Sequence, residues 1–258
     1  MRAAPSPARP AAATAYLPYT LEESAGTRLF CFHHAGGSAS SFSGLQRALG
    51  PKVSVAPVQL PGRERRAAEP RFTEIGALVE ELDRELAPYL EETPHAFLGH
   101  SMGAIVAYRL ASRRVARGAV PPYRLVVGGY PPPHRPAPIS WALELPDEEL
   151  ARFLVSVGGM SETILRYPAW MRPALAQIRD DLRVCESHRV PPPDWRLPVP
   201  IEVFAGADDP LMPPSAGEGW SQHTSAGSRV HVLPGGHFFP HERPAEFLVS
   251  LSSVLFPA

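Results

Sequence analysis

Phe97-Leu98-Gly99-His100-Ser101-Met102-Gly103-Ala104 decides how the rest of the chain is read. The apolar run Ala96, Phe97 and Leu98 fits a buried strand. Ile105, Val106, Ala107, Tyr108, Leu110 and Ala111 fit a helix that starts at once. Between them stands G-x-S-x-G, the spacing of a sharp strand-to-helix turn that lifts a serine hydroxyl off the end of a sheet. A side chain at Gly99 or Gly103 would meet the neighbouring strand or helix, because such a turn is tight and its central residue strained. The helix start also offers N–H groups to developing negative charge. Ser101 is therefore the candidate nucleophile. The five-residue pattern is weak by itself in a chain with this much Gly and Ser, and its strand–turn–helix setting is what gives it weight.

On either side of this segment, strand and helix patterns alternate, which predicts a mostly parallel sheet with helices on both faces. Strands are expected at Arg28 to His33, Val53 to Val58, His95 to Leu98, Arg124 to Gly128, Ile201 to Ala205 and Arg229 to Leu233. The clearest helix runs from Thr73 to Leu90, with Ile75, Leu78, Val79, Leu82, Leu86 and Tyr89 at helical spacing. The rhythm breaks between Pro131-Pro132-Pro133 and Pro191-Pro192-Pro193. Two amphipathic helices are expected there, Asp147 to Val157 and Ala169 to Ser187, with no strand between them. The acidic first turn of the earlier one suits the helix dipole. Residues 134–193 thus read as a helical cap inserted into a single domain covering 16–258, with two further core helices as the plainer alternative. Residues 1–15, rich in Pro and Ala, read as a loose tail.

The bulk properties of the 258 residues narrow the classes of function. A formal net charge of −1 gives no global argument for nucleic acid or a membrane surface. No apolar run is long enough for a membrane span, and the N-terminus lacks the uninterrupted apolar stretch of a secretion signal. Cys31 lies in a strand-like run and Cys185 in a helix-like one. Two buried thiols are expected rather than a disulfide, with a reducing cytoplasm as the compartment. No apolar surface helix or heptad seam stands out, so a monomer is expected.

A serine needs a base, an orienting acid and a site for the oxyanion. The chain supplies them in the order Ser, Asp, His, the order associated with this type of elbow. Ile201 to Leu211 reads as a strand ending in a turn, with Asp208 and Asp209 at its carboxyl end. Asp209 is preferred, three residues after Gly206 and directly before a proline. One member of the pair is expected only to shape the turn. Val230-His231-Val232-Leu233-Pro234-Gly235-Gly236-His237 places His237 just after the last strand, where an imidazole can take the serine proton and return it. His241 is the runner-up, and His100 should point away from the serine side chain. The loop His33-His34-Ala35-Gly36-Gly37 follows the first strand, and in this arrangement such a loop donates one oxyanion N–H. Ala35 and Met102 are the expected donors, through their main chains. No metal is expected, because the histidines lack ligand spacing such as H-E-x-x-H, and no phosphate-binding G-x-x-x-x-G-K occurs.

Four motifs together carry a family likeness: HHAGG at His33 to Gly37, QLPGRERR at Gln59 to Arg66, GHSMG at Gly99 to Gly103, and LPGGHFF at Leu233 to Phe239. From Phe30 to Phe256 the chain resembles the type II editing thioesterases of polyketide synthase and nonribosomal peptide synthetase pathways. The elbow and histidine are shared with many hydrolases, whereas the HAGG loop and PGR segment are more specific. The resemblance implies an α/β-hydrolase fold with a helical lid. It also implies a serine hydrolase without cofactor that frees acyl groups from the phosphopantetheine arm of acyl or peptidyl carrier proteins. Ser101, Asp209 and His237 would form its triad. The segment Arg179-Asp180-Asp181-Leu182 resembles the family's lid helix, and His33 stands where the family pattern leads one to expect proline. Arg63, Arg65, Arg66 and Arg71 make the loop after the second strand locally basic. The first three are candidate docking groups for an acidic carrier, and Arg63 alternatively braces its own loop. A generic carboxylesterase, a chain-releasing thioesterase and a non-catalytic carrier-binding protein are the competing readings; fold alone separates none of them.

Overall fold

The computed structural model describes residues 13–192 and 194–256. The expected tail therefore falls mainly on residues 1–12, outside the described residues. Six parallel strands form one sheet: β1 (Thr27–Phe32), β2 (Val53–Pro57), β3 (His95–His100), β4 (Arg124–Gly128), β5 (Ile201–Gly206) and β6 (Ser228–Leu233). Their order is β2-β1-β3-β4-β5-β6. β1 to β5 are buried almost throughout, as expected of parallel strands covered on both faces, while the edge strand β6 is largely half-exposed.

Eight α-helices accompany the sheet among the described residues. They are α1 (Leu45–Leu49), α2 (Ile75–Glu91), α3 (Met102–Ala116), α4 (Asp147–Ser156), α5 (Pro168–Glu186), α6 (Pro214–Gly217), α7 (Phe239–Glu242) and α8 (Pro244–Leu255). α3 packs on β1, β3 and β4, with α2 beside it. Phe30, Phe32, Phe97, Leu125 and Val127 of the sheet join Leu78, Leu82 and Ile105 of these helices in one apolar layer. On the other face Leu29, Leu98, Val126 and Phe204 pack with Leu45 of α1 and with Phe247 and Leu251 of α8. The alternation of neighbours such as Leu29 and Phe30 between the two layers is the period-2 geometry of a strand. α2 begins two residues later than its sequence pattern. Its first N–H, from Ile75, donates to Ser187 Oγ at 2.8 Å, so the end of α5 caps it.

The chain leaves β1 for the edge at β2 and then returns across β1 to β3. That reversal opens a crevice between the carboxyl ends of β1 and β3, where ligands bind on open parallel sheets. The loop after β1 and the turn after β3 both border it. Between β4 and β5 no strand of the sheet intervenes among the described residues. α4, α5 and two single 3₁₀ stretches instead bury a separate core of Leu150, Leu154, Met171, Leu175, Ile178 and Leu182.

Candidate active site

Ser101 follows β3 and precedes α3, with φ 53° and ψ −122°. This is a left-handed backbone for a residue that has a Cβ, so strain is stored at the turn. Two glycines make the turn possible. A Cβ on Gly99 would stand 2.1 Å from the Gly103 carbonyl oxygen, and one on Gly103 would stand 1.9 Å from that of Phe32. The Ser101 N–H donates to Gly128 O at 2.7 Å, which fixes the turn to the end of β4.

The two acids at the end of β5 separate cleanly. Asp208 is exposed, whereas Asp209 is buried. Asp209 Oδ1 accepts the N–H groups of Leu211 at 2.8 Å and Met212 at 3.1 Å. Its Oδ2 lies 2.9 Å from His237 Nδ1, a contact that sets the Nδ1–H tautomer and leaves Nε2 as the basic nitrogen. The His237 ring packs over Gly129, the neighbour of the residue that holds Ser101. His241 is exposed and stacks edge-on against His34, and the bond to Asp209 is made by His237. His100 is buried against His237 and Phe239, with centroids 5.4 Å away in each case. Burial and the neighbouring imidazoles push its pKa well below the ordinary histidine value.

Ala35 and Met102 border the same small cavity as Ser101. The Met102 N–H is the first of α3 and has no acceptor within the helix. The Ala35 loop is held on both sides. The Gly36 N–H donates to Asp181 Oδ2 at 2.8 Å, and the Gly37 N–H to His34 O at 3.0 Å.

Asp181, on α5, is a residue whose role the sequence reading missed. Its carboxylate takes both terminal nitrogens of Arg63, at 2.8 and 2.9 Å, while Arg63 also donates to Gly37 O at 3.1 Å. Both members are buried. One turn of α5 therefore clamps the PGR loop and the Ala35 loop together. Asp180, next to it, accepts Arg71 Nε at 2.7 Å. The available signal was an acid placed on the buried face of α5, between Ile178, Leu182 and Cys185, where a charge needs a partner.

This corrects the docking expectation for two of the three arginines. Arg63 is enclosed by its ion pair and braces its loop. Arg66 is buried too: it pairs with Glu69 at 2.5 Å, donates to Gln59 O at 3.0 Å and lies 4.0 Å above the centre of the Tyr16 ring. Arg65 alone of the three is exposed. Cys31 and Cys185 are free and buried, and burial pushes the Cys185 thiol up to about 12. Among the described residues no cluster of three or more His, Cys, Asp or Glu side chains could hold a metal ion, and no helix is long and apolar enough to cross a membrane.

Comparison with known proteins gives the family. A model of the thioesterase domain matches residues 27–253. The gramicidin S biosynthesis protein GrsT of Aneurinibacillus migulanus is 34% identical over 228 residues, covering 88% of this chain and 88% of that one. Thioesterase PikA5 of Streptomyces venezuelae is 34% identical over 230 residues, covering 88% of this chain and 80% of its own. The solved type II thioesterase BorB, from the borrelidin biosynthetic cluster, superposes with a TM-score of 0.82 at 32% identity. That match covers 95% of this chain and 99% of BorB. With a strained serine elbow at the crevice of a parallel sheet and the family match running across that whole sheet, the chain belongs to the thioesterase family, as an α/β-hydrolase that cleaves thioesters.

Proposed function

We propose that this enzyme releases acyl groups from the phosphopantetheine arm of acyl or peptidyl carrier proteins, and so clears aberrant or stalled units during polyketide or nonribosomal peptide synthesis. The observation that carries the catalytic part is the buried contact between Asp209 Oδ2 and His237 Nδ1 at 2.9 Å, at the same sheet edge as the Ser101 elbow. The carrier-bound substrate is inferred from the company the relatives keep: GrsT is named for gramicidin S biosynthesis, and BorB is a type II thioesterase from the borrelidin biosynthetic cluster.

In this mechanism His237 Nε2 takes the proton of Ser101 as Oγ bonds to the thioester carbonyl carbon. The carbonyl oxygen becomes an oxyanion, received by the N–H groups of Ala35 and Met102. The C–S bond then breaks, and the pantetheine sulfur leaves with the proton from His237. Water gives its proton to His237, attacks the acyl-serine and frees a carboxylic acid and the serine hydroxyl. The buried Asp209 carboxylate holds the imidazole in place and stabilises its charged form. No cofactor takes part.

Residues 134–193 act as the lid. The cavity beside Ser101 measures about 20 Å³. That is room for about one water molecule, so an acyl chain enters only as the insertion shifts. Arg65 is the exposed cation offered to an acidic carrier; the protein works as a cytoplasmic monomer. The test is acyl release from a loaded carrier protein, run beside a matched oxygen ester, for wild type and Ser101→Ala. Release that requires Ser101 and strongly favours the carrier thioester supports the reading. Equal or better cleavage of the oxygen ester moves the enzyme to the general esterases, and inactivity of folded wild type toward both favours a carrier-binding role.

A further inference from the structure

The Ser101 cavity is not the roomy one. A second, of about 310 Å³, opens between α1 and α8 on the opposite face of the sheet from α3, and shares no lining residue with the first. This is the liquid volume of about ten waters, at the lower end of small-molecule sites. Its walls are hydrocarbon: Phe42, Leu45, Leu98, Phe204, Phe247 and Leu248.

At one end the lining changes character. His34, His100 and His241 gather there, with the His34 ring 6.3 Å from each of the other two. His100 is 6% exposed, and neither of its ring nitrogens makes a hydrogen bond of good geometry with a protein group, although the His237 backbone lies close enough to interact. A buried imidazole with so little hydrogen bonding is costly, and this one lines the cavity. Burial, with the neighbouring imidazoles, lowers His100 well below its usual range and His34 to about 4, so at neutral pH both are uncharged and each keeps one N–H donor. Among the described residues no lysine or arginine lines the cavity, which disfavours a phosphate or another dianion. An apolar channel headed by imidazole N–H donors suits a single acceptor group on a hydrocarbon tail.

We infer that the cavity between α1 and α8 is a second ligand site that binds an aliphatic carboxylic acid, with its carboxyl group at His100, His34 and His241 and its chain along Phe42, Phe204 and Phe247. The preference for an acid over another polar-headed chain rests on the thioesterase reaction, whose product is an acid. Through His100, whose ring lies 5.4 Å from that of His237, the site adjoins the catalytic base without entering the Ser101 cavity.

The experiment titrates octanoate, followed by calorimetry, into protein whose Ser101 has first been blocked with phenylmethylsulfonyl fluoride. Saturable binding that survives the block is expected. It falls at least tenfold in Ala48→Trp, which fills the groove from α1, and in His100→Phe, which keeps the ring and removes its nitrogens. Leu248→Trp repeats the filling from α8 should the α1 variant not fold, and turnover of a short acyl thioester by the filled variants reports their integrity. Binding that vanishes on sulfonylation, or that is unchanged in the filled variants, overturns the site and puts the acid in the Ser101 cavity or on the surface. Absence of the sulfonyl mass gain counts against the nucleophile assignment alone; titration of unlabelled wild type and Ala48→Trp then still decides the second site.

Discussion

The sheet with its flanking helices and the insertion between β4 and β5 are held together in different ways. In the sheet body two apolar layers run across the strands, from Val55 and Ala56 on β2 to Phe204 and Val203 on β5, and Leu233 of β6 joins one of them. The insertion buries a smaller core of its own. Much of its hold on the body is polar: Arg63 with Asp181, Arg71 with Asp180, and Ser187 on the end of α2. Histidines stand at both of its roots. His134 Nδ1 meets His223 Nε2 at 2.8 Å, and the His188 Nε2–H donates to Pro133 O at 3.1 Å. The difference separates two tasks. Non-directional packing fixes Ser101, Asp209 and His237 along one sheet edge, while directional contacts tie the helices of the insertion to the loops beneath them.

The comparison is sharpest where chemistry and stability are expected to part. Ser101→Ala lowers kcat by about 10⁶-fold through loss of the nucleophile, and Asp209→Asn by about 10⁴-fold through loss of the correct imidazole tautomer. Neither touches an apolar layer, so the melting temperature of Ser101→Ala stays close to that of wild type. Steady-state kinetics beside thermal denaturation checks both. A large fall in melting temperature would mean that the elbow is structural first.

Asp181→Ala should couple the two regions. It leaves the Arg63 charge buried and unpaired, which costs about 3–5 kcal/mol, and it releases the Gly36 N–H beside the Ala35 loop. Urea denaturation and kcat should fall together. In the pair Arg63→Met with Asp181→Leu, stability returns in large part while kcat does not, since the loop remains unclamped. Recovery of both would show that the ion pair serves the fold alone.

Leu175→Ala in the insertion and Ile105→Ala in α3 remove similar side chains from fully buried sites. Each costs about 2–5 kcal/mol. Hydrogen exchange distinguishes them: Leu175→Ala loosens 142–182 with β3 and β4 protected, whereas Ile105→Ala lowers protection everywhere. Uniform loss in both would contradict a separable insertion.

The smallest expected effect is acid sensitivity at the roots. Burial lowers His188 and His223 to about 4 from an ordinary 6.5. The folded state then binds fewer protons than the unfolded state between these values. This contribution to stability is full above pH 6.5 and is lost as pH falls toward 4. The melting temperature should drop across that window, and less so in His223→Phe.

What was legible in the sequence follows the same division. The strands, the elbow with its two glycines and the resemblance to type II thioesterases rest on local spacing, and the sheet and family match bear them out. Asp209 and Asp208 differ by a single position, so spacing could prefer one, and burial with the 2.9 Å contact to His237 separates them. Arg63 and Asp181 lie 118 residues apart, and no local pattern joins them. A run of arginines therefore looked like a surface patch until the fold put its first member inside. The cavity between α1 and α8 was illegible for a related reason: its lining comes from widely separated stretches of chain, from His34 to Leu248.

The most direct test of the account is the intact mass of the enzyme quenched within milliseconds of mixing with a carrier protein loaded with a labelled acyl thioester. A transient gain equal to the acyl group is expected, mapped to the peptide containing Ser101 and absent in Ser101→Ala. Acyl release by wild type with no such adduct, or with the adduct on another residue, would contradict it.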